Sequence, residues 1–400
     1  MTIALVLWLL SDLAGAATTG QAADATGKTK SGSTQARSGS KKATTRKTAT
    51  RKKRRYRRYE RFYTSSYADD VTAGDVTEGE DPVVREAALD ALGRMNGTVV
   101  VIDSFTGRIL TMVNQKLALS QGAQPCSTFK VAVALAALND GVVTRDEEIV
   151  LGFTRRRRYV PRRPITMNLT KATAESNNPY FQVLGRRLGF ERVSRYAHEF
   201  GLGELAGWGI EGEHPGVFPE TEPKAGVGLM CSHGEGIQMT PLQLGAFMAA
   251  VANGGTLYYL QHPSTAQELA SFQPRIKREL NIGSLIPEVS EGMVGAVEYG
   301  SARSLRYSFW EETVAGKTGT CSHNGTRFGW FASWTPTERG PLVTVVFLQG
   351  GRPTFGPRAA EITGRFYRNL YDRNYFAARA TAQSQTASEQ QQPGGSGTSH

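Results

Sequence analysis

Residues 128–141 read TFKVAVALAALNDG, apolar nearly all the way round a helix except for one lysine, Lys130. A surface helix keeps a polar face, and one without it is enclosed on every side. The chain must therefore build a body that surrounds this segment. With 400 residues, 40% of them hydrophobic, it has the material for a large core. Asn139, Asp140 and Gly141 end the helix.

The elements around it can be read in order. Asp81-Pro82 is an N-cap and first helical residue, opening a helix through about Met95. Asn96-Gly97 leads into TVVVIDS, and TGR at 106–108 turns that strand into ILTMV, a hairpin. Helices follow near 179–188 and 190–200, from Thr240-Pro241 to Asn253, and over about 286–298. The last third returns to strands, ETVAGKTGT, GWFASWTP and LVTVVFLQGG, and a helix over about 358–372 closes it. Strands first and last, with helices between, predict an α+β fold. An antiparallel sheet is assembled from both ends of the chain and carries an inserted helical lobe.

The termini differ in composition. Residues 18–55 are mostly Thr, Ser, Ala, Gly, Lys and Arg, and 380–400 are Gln, Ser, Gly and Thr. Such segments bury too little apolar surface to offset their ordering entropy. The expected division is an export signal over 1–17, a linker over 18–80, a domain over 81–378 and a tail over 379–400. The opening MTIALVLWLLSDLAGA has an apolar run at 3–10 and a small-x-small cleavage pattern at Ala14-Gly15-Ala16, but no positive n-region. The run is shorter than the roughly 20 residues a membrane span needs. An exported protein of the periplasm or cell envelope is expected.

Charge is as uneven as composition. Residues 41–61 hold twelve Lys or Arg and one Glu, and this tract carries the chain's whole net charge of +11. The rest is neutral. A basic tract of this kind binds polyanions by releasing counterions. The tract is read either as a solvated linker or as a segment that meets anionic lipid or envelope polymer, with no specific nucleic acid.

Candidate chemistry starts at PCSTFK, 125–130. Ser127 and Lys130 are three apart, on one face of a helix beginning near Ser127. A serine hydroxyl needs a base, and a lysine becomes one when desolvation or another cation lowers its pKa. The spacing alone decides nothing: Ser38 and Lys41 match it in the tail, and serine is a common N-cap. Ser176-Asn177-Asn178 and Lys317-Thr318-Gly319-Thr320 add two further groups. Ser-x-Asn is weak, since Ser322-His323-Asn324 also fits, whereas Lys-Thr-Gly occurs once. The order S-x-x-K, S-x-N, K-T-G is that of serine penicillin-recognising enzymes.

With these motifs, residues 97–372 resemble the transpeptidase domain of penicillin-binding proteins. VVVIDSFTGRILTMV is similar to its first hairpin, PCSTFKVAVALAALNDGVV to its nucleophile helix, and GEGIQMTPLQLGAFMAAVANGGTLY to the segment after the lobe. AGKTGT and GWFASWTP are similar to its central strands. The resemblance implies a five-stranded antiparallel sheet flanked by helices and a two-lobed body. It implies an acyl-enzyme on Ser127, formed from a peptidoglycan stem peptide and equally from β-lactams. Lys130 would take the serine proton, Ser176 relay a proton to the leaving amine, and Asn178 hold the substrate amide. Lys317 would keep Lys130 neutral. Thr318 and Thr320 would bind the terminal carboxylate, and the backbone N–H groups of Ser127 and Thr320 would form the oxyanion hole. Gly319 is read as small so that substrate can lie along the strand. No cofactor or metal is implied.

Some features depart from that pattern. Larger members carry a pedestal or glycosyltransferase module, whereas one helix and a tail precede residue 97 here, so a stand-alone domain is expected. TRRRRYVPRRP places six arginines between 155 and 163, read as a solvated loop or a rim for anionic substrate. Cys126, Cys231 and Cys321 lack metal-ligand spacing. Buried packing thiols are expected, with a bridge from Cys126 to Cys321, or one including Cys231, left open. Three alternatives to the transpeptidase remain: a class D-like β-lactamase, a penicillin-sensing or wall-binding module without catalysis, and a cysteine enzyme using Cys126.

Overall fold

Both ends of the chain meet in one five-stranded antiparallel sheet in the computed structural model, which describes residues 60–155, 161–335 and 340–376. After α1 (Pro82–Leu92) come β1 (Gly97–Asp103) and β2 (Ile109–Val113). Asp81 caps α1 by accepting from the Val83 and Val84 N–H groups. The middle of the chain holds α2 (Gln115–Ala118), a 3-10 turn at Cys126–Phe129, and α3 (Lys130–Asn139). A small hairpin of β3 (Ile149–Phe153) and β4 (Pro164–Met167) precedes α4 (Leu169–Ala174), α5 (Asn178–Leu188), α6 (Phe190–Glu199), α7 (Val227–His233) and α8 (Pro241–Ala252). Next are β5 (Thr256–Tyr258), α9 (Ala266–Ala270), β6 (Ile276–Glu279) and α10 (Ile286–Glu298). The chain returns to the sheet with β7 (Ala315–His323), β8 (Thr326–Trp334) and β9 (Leu342–Gly350), and α11 (Gly356–Asp372) closes the fold.

The sheet order is β2-β1-β9-β8-β7, so β1 zips onto β9, with Val99 opposite Val346 and Val101 opposite Thr344. Alternate side chains go to opposite faces. Val100, Ile102, Trp330, Val345 and Phe347 enter one core with α3 and α8. Val99, Val101, Phe331, Val346 and Leu348 enter a second with α1 and α11. Cover on both faces explains why these strands read as near-continuous apolar runs. In α3 every residue from Lys130 to Leu138 is buried, as its all-round apolar sequence requires.

Three local expectations change. The segment ETVAGKTGT becomes a strand starting at Ala315 and running on to His323, and β8 begins at Thr326, before GWFASWTP. The reason is an Asn-Gly turn: Asn324 and Gly325 have φ of 46° and 73°, as a tight hairpin requires. Residues 60–80, assigned by composition to the linker, make specific contacts. Tyr63 N–H donates to the Gly325 carbonyl at 2.9 Å, and Ser66 and Glu80 are buried. Glu80 accepts from Arg85, Thr111, His262 and the Met112 N–H, and Arg85 bridges it to Asp75. Pairing makes these charges compatible with burial, and composition does not reveal pairing. The remaining linker, the basic tract up to residue 59, the export signal and the tail from 377 lie outside the described residues. So do residues 156–160 within the arginine cluster; of its described members, Arg162 stacks over Phe153 at 5.3 Å. Among the described residues, no helix is long and apolar enough to cross a membrane.

Candidate active site

The turn Gln124–Phe129 is held from several sides. Gln124 donates from Nε2 to the His233 carbonyl at 2.8 Å, and its own carbonyl accepts from Trp330 Nε1 at 3.0 Å. The Pro125 carbonyl accepts from Thr128 Oγ1 at 2.7 Å. Cys126 takes the left-handed region, φ 54°, which is uncommon for a non-glycine residue. A disulfide joins Cys126 to Cys321 on β7, with their Cα atoms 5.6 Å apart. This replaces the expected packing thiol at both positions, because β7 runs against the turn. A bonded Cys126 cannot be a nucleophile, so the cysteine-enzyme reading falls. Cys231 is free and buried on α7, and burial pushes its thiol up to about 12.

Gly319 acquires a different reason for being small. A Cβ there would lie 2.7 Å from the Pro125 carbonyl oxygen and 3.2 Å from Thr128 Cγ2. The turn Gln124–Phe129, not a substrate, occupies that space. Gly234, the residue directly after α7, plays the same part: a Cβ there would lie 2.6 Å from Pro125 Cγ.

Ser127 is half-buried in the 3-10 turn, and Lys130 begins α3. With three residues per turn, positions i and i+3 eclipse, so the 3-10 geometry aligns the two side chains more directly than an α-helix would. Among the described residues, however, Lys130 spends its amine elsewhere. It donates to the Ser176 carbonyl at 2.7 Å and to Asn178 Oδ1 at 2.6 Å, which uses the two hydrogens of a neutral amine, and it lies 3.2 Å from Ser176 Oγ. Catalytic hydrogen bonds often tighten only when substrate binds.

The second motif is the turn between α4 and α5. Asn177 caps α5 by accepting from Tyr180 N–H at 2.9 Å, so the middle residue serves the backbone. Ser176 and Asn178 are left for the cleft. Lys317, fully buried on β7, donates to Ser176 Oγ at 2.8 Å and to the Thr318 carbonyl at 3.1 Å. The Ser176 hydroxyl thus sits between two lysines. Burial, and next the charge of Lys317, push Lys130 down to about 6. Burial pushes Lys317 down to about 7. Both shifts have the sign that desolvation of an amine demands. At neutral pH Lys130 is therefore largely an uncharged amine, able to accept a proton.

β7 is an edge strand, and an edge leaves backbone N–H and C=O groups unpaired along one side. Its two threonines differ. The Thr318 hydroxyl is buried and shared with Ser301 Oγ at 2.8 Å, whereas Thr320 is exposed, with Oγ1 accepting from Gly356 N–H at 2.7 Å. Of the two hydroxyls expected to meet a carboxylate, Thr320 alone reaches the surface without rearrangement.

His233 was missed in the sequence, though it begins the HGEG run that leads to α8. Its Nε2 lies 3.1 Å from Asn178 Nδ2. A histidine directly before a Gly-Glu-Gly turn was the available signal. No cluster of His, Cys, Asp or Glu among the described residues could hold a metal ion.

The assembled site has one half-exposed hydroxyl, two amines of lowered basicity and a second serine between them, beside an open strand edge. It is suited to acyl transfer. A family model described as the penicillin binding protein transpeptidase domain matches residues 97–371. The chain is 26% identical over 283 residues to Stage V sporulation protein D of Bacillus subtilis (strain 168), covering 65% of this chain and 44% of that protein. It is 24% identical over 357 residues to the peptidoglycan D,D-transpeptidase PbpA of Mycobacterium tuberculosis, covering 74% and 70%. The chain spans 44%, 30% and 33% of three such relatives, less than half of each. Two solved structures share the fold, each over 74% of this chain with a TM-score of 0.61. They are Pseudomonas aeruginosa PBP2 in complex with WCK 5153 (24% identity, 77% of that chain) and the apo TP domain of Burkholderia pseudomallei penicillin-binding protein 3 (19%, 94%).

Proposed function

Because the chain belongs to the penicillin-binding protein transpeptidase-domain family, we propose that it is a serine-type D,D-transpeptidase acting on peptidoglycan stem peptides and acylated by β-lactams. The observation that carries this reading is the pair of buried lysines converging on Ser176, with Lys130 one 3-10 turn after Ser127.

Lys130, uncharged at neutral pH, takes the Ser127 proton as Oγ attacks the penultimate D-Ala carbonyl. The negative charge that develops on that oxygen is met by the backbone N–H groups of Ser127 and Thr320. The tetrahedral intermediate collapses, the C–N bond breaks, and D-Ala leaves as an amine. The Lys130 proton reaches that amine through Ser176 Oγ, which lies 3.2 Å from Lys130 and 2.8 Å from Lys317. Asn178 holds the substrate amide, and Thr320, with Thr318 after release from Ser301, binds the terminal carboxylate. An acceptor amine, or water, then resolves the acyl-enzyme by the reverse steps.

The proposed division keeps an export signal over 1–17 and a tail over 379–400, but ends the linker before residue 60, where contacts with the fold begin. A Cys126–Cys321 disulfide supports an oxidising compartment, hence export to the cell envelope. The tract at 41–61 is proposed to adhere to anionic lipid or wall polymer; unchanged envelope fractionation after its deletion would oppose this.

The test is mass spectrometry of the purified protein with a stem pentapeptide, with and without an amine acceptor. Loss of D-Ala with an adduct on the Ser127 peptide supports the reading. Cross-linked product with the acceptor separates transpeptidase from carboxypeptidase. Rapid turnover of a penicillin would instead favour the β-lactamase, and no adduct at all a non-catalytic module.

A further inference from the structure

His233 is the last residue of α7, and its half-buried imidazole faces the second motif. Nε2 lies 3.1 Å from Asn178 Nδ2, and Nδ1 lies 2.6 Å from Ser232 Oγ. The position of the ring hydrogen follows from the outer partners. Asn178 Oδ1 accepts from Lys130 at 2.6 Å, so the NH2 end of the carboxamide faces the ring. An amide NH2 only donates, which makes Nε2 the acceptor. The hydrogen then sits on Nδ1 and donates to Ser232 Oγ, whose own hydroxyl donates to the Leu229 carbonyl at 3.4 Å. Leu229, Ser232, His233, Asn178 and Lys130 form one chain running in one direction.

We propose that His233 is a positioning residue for acylation: as a neutral imidazole it keeps the Asn178 carbonyl turned toward Lys130, and so leaves the Lys130 lone pair free for Ser127. The inference rests on the roles given to Ser127 and Lys130 above. If the carboxamide turned over, its NH2 would face the amine. It would repel a charged Lys130 or occupy the lone pair of a neutral one. In either case Ser127 loses its base.

Protonation of the ring forces this state. Both nitrogens of an imidazolium donate, so Nε2 can no longer accept from Asn178. Burial, and next the charge of Lys130, hold His233 below the ordinary histidine range, while Glu235 in the following turn pulls it upward. Arg186, on the helix that Asn178 begins, lies at the far end of α7 against Gly228. The ring is thus neutral at neutral pH and gains its proton only in acid.

The test is the rate of acylation of the full chain by a labelled penicillin, from about pH 5 to about pH 8. In the wild type, the logarithm of the rate falls in acid with a slope approaching about two, because Lys130 and His233 each take a proton. His233→Gln offers an acceptor oxygen that does not titrate, and its slope falls to about one. His233→Phe has no acceptor and loses roughly tenfold to a hundredfold at neutral pH, most of which His233→Gln recovers. Nitrogen-15 spectra of the wild type show His233 as the Nδ1–H tautomer. Equal slopes in wild type and His233→Gln, a His233→Phe rate within about twofold of wild type, or an Nε2–H tautomer overturns the proposal. Wild-type acylation with unmoved profiles strikes His233 alone. A wild type that never acylates strikes the transpeptidase reading and this inference with it.

Discussion

On one side of Lys130, the turn that carries Ser127 is fixed by a disulfide to β7, by Trp330 on the Gln124 carbonyl, and by two glycines that let neighbouring chains approach. On the other side, the Ser176–Asn178 turn is held toward the cleft by two lysines and a histidine. The first set of restraints does not change with protonation. Every member of the second titrates: burial brings the two lysines down to about 6 and about 7, and holds the histidine below its ordinary range. On the proposed mechanism the two sides do different work: one fixes where Ser127 stands, the other decides whether Lys130 is ready to act as its base.

The sharpest way to break this division is to remove the base without moving the nucleophile. Lys130→Met should lower penicillin acylation by about 10²–10⁴-fold, the ordinary worth of a positioned base. Its melting temperature should not fall, since a buried amine is replaced by an apolar chain of similar length. A large loss of stability would mean that Lys130 holds the fold rather than the proton.

The converse is to loosen the turn and keep the base. Cys126→Ser combined with Cys321→Ser opens a link spanning 195 residues of sequence. This should cost roughly 2–5 kcal/mol in denaturant unfolding. Acylation by the variant that remains folded should keep its dependence on pH. An altered pH profile would show that the two sides are not separable. Gly319→Ala is gentler, pressing a methyl onto the Pro125 carbonyl, and should cost about 1–3 kcal/mol by the same measurement. A neutral effect would contradict the close packing of turn and strand.

The smallest change is acid. The folded pKa of Lys130 is depressed to about 6. As pH falls through that value the amine gains its proton and can no longer accept one from Ser127. Acylation should then fall by at least about tenfold per unit, while the disulfide-held turn keeps its near-ultraviolet circular dichroism.

Much of this was legible in the sequence, for identifiable reasons. The buried α3 announced itself because an all-round apolar helix has one environment. The sheet announced itself because apolar strands stood at both ends of the chain. The candidate site residues came from three motifs, at 127, 176 and 317, that the fold brings onto neighbouring elements. What escaped was pairing across space. Nothing in the spacing of Cys126 and Cys321 says that β7 runs beside the nucleophile turn. Gly319 was read against an imagined substrate, because the Pro125 carbonyl that fills the space is 194 residues away in sequence. His233 carried no motif of its own, and its meaning appears only when Asn178 is placed against it. Asn324-Gly325 was readable as a hairpin turn and went unread, which misplaced the ends of β7 and β8.

The central question is whether Ser127, with Lys130 as its base, is the residue that becomes acylated. Intact-mass and peptide mapping of the wild type and Lys130→Met, after exposure to a penicillin at neutral pH, measures this. The expected result is one stable penicilloyl adduct on the peptide containing Ser127 in the wild type and little or none in the variant over the same time. An adduct on another residue, or equal labelling of the two proteins, would contradict it.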